Sequence, residues 1–237
     1  MNTSFEKIFV HLKNRFKSVP YSIISLGPNC YPRTILSRNK LIKTKMEGQI
    51  SYPFDLAWFH SAKYVTEFLS NNFNNFLSDL RYSQYSGSWD NGVKINFSHE
   101  AYIGPNEKNK LIKIYKKRIN NFNKALKNNK PIVFIQIFKD EKVGQDCINT
   151  YNVLKNLCSH KNFIYIVIDC AGCLKDIILS RNICLLDIKL PNNVKNSDVF
   201  SPDFYCSEKG QIFEKTISNF IQNTIEQKLG YAPIKFL

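Results

Sequence analysis

The chain has 237 residues, 43% of them hydrophobic and 14% aromatic, which is enough for a packed core and excludes a disordered or fibrous protein. No apolar run approaches the roughly 20 residues of a membrane-spanning helix, and the charged, amphipathic N-terminus lacks the apolar region of a signal peptide. Lys and Arg number 33 against 19 Asp and Glu, and the resulting net charge of +14 permits contact with nucleic acid or an acidic surface.

The charge surplus does not by itself favour a nucleic-acid-binding protein. The chain is rich in Lys, Asn and Ile together, and this bias scatters Lys over a protein surface without any ligand. No DNA- or RNA-binding motif accompanies the charge. We therefore keep nucleic acid, or an acidic glycan, as an alternative partner that is not favoured.

Seven cysteines without a signal peptide indicate reduced thiols, and so we predict a cytoplasmic protein. Most of them lie in or beside apolar runs, where a free cysteine packs as a small core residue. Cys170 and Cys173 have the CxxC spacing of thioredoxin-like centres, but no second CxxC is present and packing is the favoured interpretation. We predict no cofactor and no bound metal.

Strand and helix patterns alternate along the chain. The apolar periodicity predicts a short basic N-terminal helix over residues 1–18, followed by a strand at 21–27 that Gly27 and Pro28 end. Further helices are predicted at 30–41, 61–80, 107–128, 142–157, 172–180 and 208–228. Further strands are predicted at 93–97, 131–138, 163–169 and 182–190, with irregular segments at 42–60 and 82–92.

Several of these strands are apolar at nearly every position. Such runs are typical of parallel strands that are buried on both faces. The alternation therefore predicts an α/β fold, a three-layer sandwich with a mainly parallel sheet. Because no linker or internal repeat interrupts the chain, we predict one domain over residues 1–237.

The first predicted strand leads into a candidate nucleophile. Ligands of open α/β sheets bind at the carboxyl ends of the strands, and Cys30 follows such an end at the start of a predicted helix. The N–H groups there lower the pKa of a thiol and make it a nucleophile. Gly27 would let the backbone approach a substrate, and Asn29 would cap the helix or donate to an oxyanion. The alternative is a buried cysteine in a tight turn.

A nucleophilic cysteine needs a base and a group that orients the base. His99 follows a short predicted strand and is our first choice for the base, with His60 second. Asp169, at the end of an apolar strand, and Asp55 are the candidates for the orienting carboxylate, and the sequence leaves both open. Asp187 and Asp203 are weaker candidates.

Three motifs carry a family resemblance: ISLGPNCYPRTIL, SYPFDLAWF and FSHEAY. They resemble a bacterial and viral family described as papain-like cysteine peptidases, whose motifs are Ser-Leu-Gly-x-x-Cys, Pro-Phe-Asp and a later His. The matching residues are Ser25, Leu26, Gly27, Cys30, Leu36, Pro53, Phe54, Asp55 and His99. One departure is Leu56, where a Trp is common; Trp58 stands two positions further on.

The resemblance implies a cysteine-dependent hydrolase or transferase, with Cys30 as nucleophile, His99 as base and a peptide or glycan substrate. It also implies a papain-like α+β fold, which is the alternative to the parallel sheet. Ser25, Gly27, Asn29 and Asp55 would line the substrate and oxyanion site.

A weaker resemblance concerns residues 203–210. They look like the last block of SGNH hydrolases, with Cys206 in the position of the usual His. This leaves an SGNH-like glycan or ester hydrolase, in which Ser25 would matter, as an alternative. A non-enzymatic basic binding module is the third.

Overall fold

Strands and helices alternate through the parallel sheet of the structure, as the apolar runs predict, whereas three short strands follow one another between residues 81 and 96. The structure is a computed structural model, and it describes residues 20–44, 47–92, 94–138, 144–171, 183–195 and 197–231. The predicted helices at 1–18 and 172–180, and with them Cys173, lie outside the described residues.

The described strands fall into two sheets of four. They are β1 (Ser22–Ser25), β2 (Trp58–Phe59), β3 (Arg81–Ser83), β4 (Ser88–Asp90), β5 (Ile95–Asn96), β6 (Ile132–Phe138), β7 (Phe163–Asp169) and β8 (Ile183–Asp187). The described α-helices are α1 (Tyr31–Arg38), α2 (Ala62–Ser70), α3 (Lys108–Lys127), α4 (Gly144–Leu157), α5 (Pro202–Tyr205) and α6 (Glu208–Leu229). Short 3₁₀ turns lie at Ser98–Glu100 and Asp198–Phe200.

The larger sheet is parallel throughout and has the order β1-β6-β7-β8. Every residue of β6 and β7 is buried, because helices cover both faces of these central strands. The register places Ser25 opposite Ile135 and Phe138 opposite Asp169. The predicted parallel sheet is therefore confirmed, and the carboxyl ends of its strands form one edge.

Two hydrophobic cores lie on opposite faces of this sheet. One contains alternate strand residues, such as Phe134 and Tyr165, and packs against α2, α3 and α4. The other contains the intervening residues, such as Ile135 and Ile166, and packs against α1 and α6. This arrangement is the three-layer sandwich that the apolar runs predict.

The smaller sheet is antiparallel, with the order β2-β5-β4-β3. Only its β5 strand is predicted from the sequence. The segment 82–92 is predicted as a loop, but it contributes to a hairpin of β3 and β4 in which Tyr82 packs edge-on against Trp89, with 5.5 Å between ring centroids. The loop prediction was wrong because strands of three residues are too short to show a clear alternation.

The helix predicted at 61–80 is the second difference, since α2 ends at Ser70. Asn72 and Phe73 have positive φ angles of 56° and 61°, which stop the helix. Phe73 and Phe76 still reach the core from the turns that follow. No helix in the described ranges is long and apolar enough to cross a membrane.

Candidate active site

Cys30 lies at the N-cap position of α1, at the carboxyl end of β1. The intervening turn needs Gly27, whose φ is +48° and whose missing side chain leaves room for Phe59. Asn29 Oδ1 accepts a hydrogen bond from the Tyr31 N–H at 2.9 Å and so satisfies one free donor of the first helical turn. Cys30 is 8% exposed. Its position at a helix N-terminus is the one that the sequence predicts.

Asp55 contacts residues on both sides of this turn, within a buried group of polar side chains. Its Oδ1 accepts from the Ser25 hydroxyl at 2.6 Å, and its Oδ2 accepts from the Tyr52 N–H at 2.7 Å. Arg33, on the first turns of α1, approaches the same Oδ2 at 3.5 Å. We call Ser25, Arg33, Tyr52 and Asp55 the Asp55 cluster. Because Ser25 precedes Cys30 and Arg33 follows it, the cluster fixes both sides of the turn.

The ionisation of Asp55 reflects two opposed influences. Burial raises the pKa of the carboxyl above its ordinary value, because water no longer stabilises the anion. The Arg33 charge and the two hydrogen bonds lower the pKa, but by less than burial raises it. The pKa of Asp55 is therefore raised overall, and the loss of any of these lowering influences would raise it further.

A second buried charged group lies beside His99. Glu100 accepts from Arg118 Nη2 at 2.7 Å and from the Tyr115 hydroxyl at 2.9 Å. Arg118 also lies 4.4 Å from the centre of the Tyr115 ring. We call Glu100, Tyr115 and Arg118 the Glu100 cluster. Its two charged side chains are 2% and 7% exposed, so the cluster anchors the 3₁₀ turn to α3 inside the core.

The two clusters influence each other electrostatically. The Arg118 charge is among the influences that lower the pKa of Asp55. The Asp55 charge in turn raises the pKa of Arg118. Asp55 holds the turn that carries Cys30, and Arg118 holds the 3₁₀ turn that carries His99. These two opposite charges therefore attract each other.

His99 itself lies on the surface, in the 3₁₀ turn after β5. Trp58 is opposite Asn96 in the antiparallel pair of β2 and β5, so the chain beyond Asn96 leaves the pair in the direction opposite to that of β2. The Phe59 N–H donates to the Pro28 carbonyl at 2.6 Å and joins β2 to the Cys30 turn. No hydrogen bond or ion pair of His99 occurs within the described part of the chain.

The other predicted site residues lie on different elements from His99. Asp169 is fully buried at the end of β7, two strands from β1, and its Oδ1 accepts from the Ala171 N–H at 3.0 Å. His60 is exposed, and its backbone N–H donates to the Lys94 carbonyl. Asp187 and Asp203 are also exposed.

Aromatic rings line the surface next to the Cys30 turn. The Trp58 side chain is 46% exposed, and its ring centroid is 6.3 Å from that of Phe200. Phe200 packs edge-on against Tyr31 at 5.5 Å. The exposed Trp58 ring is therefore connected through Phe200 to Tyr31, the residue that follows Cys30.

Sequence reasoning missed the Glu100 cluster, although one signal for it was present. The periodicity of α3 places Arg118 on the apolar side of the helix, between Tyr115 and Phe122. A charged residue in that position requires a buried partner of opposite charge. The partner, Glu100, lies 18 positions earlier, and no periodic pattern connects the two residues.

Comparison with known proteins gives one match. The model of the family described as putative papain-like cysteine peptidase (DUF1796) matches residues 21–166. Searches of curated proteins and of solved structures each found no match. The matched segment includes Cys30, Asp55 and His99 and ends before Asp169, and no comparison supports the SGNH-like interpretation of residues 203–210. Because the match covers more than half of the chain, the protein belongs to this family of putative papain-like cysteine peptidases.

Proposed function

We propose that the protein is a cysteine-dependent hydrolase of peptide bonds, with Cys30 as nucleophile and His99 as general base. The position of Cys30 at the N-terminus of α1 is the observation that carries the proposal. The partial positive charge at the N-terminus of a helix favours a thiolate over a thiol. The carboxyl edge of a parallel sheet is also where substrates bind in open α/β folds.

The reaction would proceed in two steps, acylation of Cys30 and hydrolysis of the resulting thioester. The Cys30 sulfur attacks the carbonyl carbon of the peptide while its proton passes to the His99 imidazole. The C–N bond then breaks, the leaving amine takes the proton from His99, and a thioester remains on Cys30. A water molecule, deprotonated by His99, hydrolyses the thioester to a carboxylic acid and returns the thiol.

The remaining site residues take supporting roles in this proposal. Asn29 uses its Oδ1 to cap α1, and its Nδ2 makes no hydrogen bond with the described residues, so we propose Nδ2 as an oxyanion donor. Asp55 is a positioning residue, since its contacts reach Ser25 and Arg33 on either side of Cys30. Asp169 stays our prediction for the carboxylate that orients His99.

The contacts of Ser25 favour a thiol route over a serine route. Its hydroxyl is 2% exposed and donates to a carboxylate at 2.6 Å. A hydroxyl that is buried to this extent is not accessible to an external carbonyl. Peptide hydrolysis should therefore depend on Cys30 and not on the Ser25 hydroxyl.

The alternative of a basic binding function has one observation in its support. Residues 108–130 contain eight Lys and no acidic residue, and the one Arg, Arg118, is paired with Glu100. Lys113, Lys117 and Lys124 are exposed on one side of α3. Such a face would bind an acidic glycan, with an affinity that falls steeply as salt increases. Elution from a heparin column at lower salt after change of the three lysines to Gln would support this function.

Thiol alkylation tests the enzymatic proposal without knowledge of the substrate. Iodoacetamide labelling is measured from pH 5 to pH 10 at each cysteine by peptide mass spectrometry. Cys206 is exposed and serves as the reference for an accessible thiol. Cys158 is the buried reference, because burial raises its pKa to about 11. We expect Cys30 to react below pH 8 and faster than Cys206.

Two variants assign the base. His99→Ala should shift the labelling profile of Cys30 toward that of an ordinary thiol. His60→Ala is the matched control, since His60 is also exposed and lies beside β2, and it should leave the profile in place. Slow labelling of Cys30, like that of Cys158, together with no effect of His99→Ala would overturn the proposal.

A further inference from the structure

Trp58 is a large apolar side chain that the fold leaves open to solvent, on the strand that is hydrogen-bonded to the Cys30 turn. It is 46% exposed, whereas Phe59, the next residue of β2, is 2% exposed and lies in the core. Isolated exposed apolar residues are common on proteins. Trp58 differs because its backbone is held in a sheet strand and its ring packs against Phe200.

The contacts of these rings connect them to Cys30. Phe200 lies between Trp58 and Tyr31, with ring centroids 6.3 Å and 5.5 Å away. The backbone of β2 is hydrogen-bonded to Pro28 in the turn that leads to Cys30. The planes of Trp58 and Phe200 are inclined by 37°, so the two rings form an angled apolar surface.

Two polar side-chain groups near this surface already have hydrogen-bond partners. Asn96, the register partner of Trp58, exchanges hydrogen bonds with Ser88 through its amide. Asn29 Oδ1 accepts from the Tyr31 N–H. A sugar would need free polar side chains to bind its hydroxyl groups, so the surface suits an apolar ligand better.

We propose that Trp58 and Phe200 form a specificity subsite for an aromatic or large aliphatic side chain of the peptide substrate, adjacent to the bond that Cys30 attacks. This inference rests on the proposed function, because the subsite has a role only if Cys30 reacts with a peptide carbonyl. Burial of an apolar side chain against the two rings would favour substrates that carry one.

Active-site-directed alkylation measures the subsite directly. Cys30 is treated with a phenylalanine-derived and a glycine-derived chloromethyl ketone, and separately with iodoacetamide. Both ketones alkylate the same sulfur and release chloride, so the ratio of their rates cancels any change in the reactivity of the thiolate. For the wild-type protein we expect the phenylalanine reagent to react about tenfold faster than the glycine reagent.

Three variants assign the preference to the rings. Trp58→Ala should lower the ratio from about ten to a value between about one and three. Phe200→Ala should lower the ratio by a smaller factor. Trp58→Phe should retain most of it, since an aromatic ring remains. Tyr85→Ala is the control for loss of an exposed aromatic ring, because Tyr85 lies on the β3–β4 turn and is fully exposed.

The outcomes separate the subsite from the enzymatic proposal. If Cys30 reacts slowly with all three reagents, the proposed function fails and the subsite fails with it. If iodoacetamide labels Cys30 rapidly while the two ketones react at equal rates, the subsite alone is overturned. A preference that persists in both Trp58→Ala and Phe200→Ala also overturns the subsite.

Discussion

Helix α1 carries an arginine–carboxylate pair near each end, and the two pairs lie in different surroundings. Near the N-terminus, Arg33 faces Asp55, which also accepts from a serine hydroxyl and a backbone N–H. At the C-terminus, Arg38 donates through two nitrogens to Glu214 of α6 and stacks on the Tyr205 ring at 4.2 Å. The Arg38 side chain is 25% exposed, against 11% for Arg33.

The Arg33–Asp55 pair is therefore part of the candidate active site, whereas the Arg38–Glu214 pair is a tether that connects two helices. Asp55 and its donors surround the turn that carries Cys30, so their loss leaves unpaired polar groups in the interior. Glu214 and Arg38 join α1 to α6, and solvent can hydrate the arginine when the pair is broken. A buried charge without its partner costs far more than a charge that water can reach.

The largest effect is expected from Asp55→Ala. Removal of the carboxylate leaves the Arg33 charge, the Ser25 hydroxyl and the Tyr52 N–H without an acceptor. We expect the free energy of unfolding to fall by about 3–5 kcal/mol, measured by urea denaturation. Glu214→Ala is the matched comparison at the other end of α1, with an expected loss of about 1–3 kcal/mol. Equal losses in the two variants would contradict the distinction drawn between the pairs.

Ser25→Ala removes one donor of the Asp55 cluster and should have the next largest effect. A hydrogen bond to a charged group contributes about 1.5–3 kcal/mol, and we expect a loss of stability in that range. Peptide hydrolysis per folded molecule should persist in this variant and disappear in Cys30→Ala. Loss of hydrolysis in a folded Ser25→Ala protein would instead favour a serine route.

The pH dependence of stability tests the environment of Asp55 more finely. Its folded pKa is raised above the ordinary value of 3.8, so the unfolded chain releases this proton at lower pH than the folded chain does. The corresponding contribution to stability is fully present below about pH 3.8 and is lost as pH rises through the folded pKa. The stability of wild type relative to Asp55→Asn should therefore decrease as the pH rises above about 3.8, by about 1.4 kcal/mol for each unit of raised pKa.

Urea titrations of both proteins at several pH values measure this difference. Asp55→Asn preserves the size of the side chain and does not titrate, so the pH dependence of the difference isolates the ionisation of Asp55. A relative stability that grows with pH would mean that Arg33 and the hydrogen bonds outweigh burial, and that the folded pKa lies below 3.8.

The parts of the fold that could be predicted are those that leave a local pattern. The apolar runs at 131–138 and 163–169 predict the central strands, because both faces of those strands are covered by helices. A glycine, a proline and a cysteine directly after an apolar run likewise predict the strand-to-helix turn at Cys30. Hydrophobic periodicity and turn chemistry are local, and so a single sequence carries them.

The charged clusters could not be predicted, because their members are far apart in the chain. Asp55 follows Ser25 by 30 positions, and Arg118 follows Glu100 by 18. Only the folded chain decides which arginine faces which carboxylate. The sequence supplies the candidates Asp55 and Asp169, but their hydrogen-bond partners depend on the packing of α1, β2 and β7.

The smallest effect is expected from Arg38→Lys, which compares geometry at equal charge. Lysine keeps the positive charge near Glu214 but loses the two-pronged contact and the flat stacking on Tyr205. Since Arg38 is partly hydrated, we expect a loss of about 0.5–1 kcal/mol in urea denaturation. Arg33→Lys should cost more, because the lysine must reach Asp55 inside the Cys30 turn, and should also slow the iodoacetamide labelling of Cys30 relative to Cys206. If both lysine variants lose the same stability and neither alters labelling, the N-terminal pair is a tether like its counterpart and does not position the nucleophile.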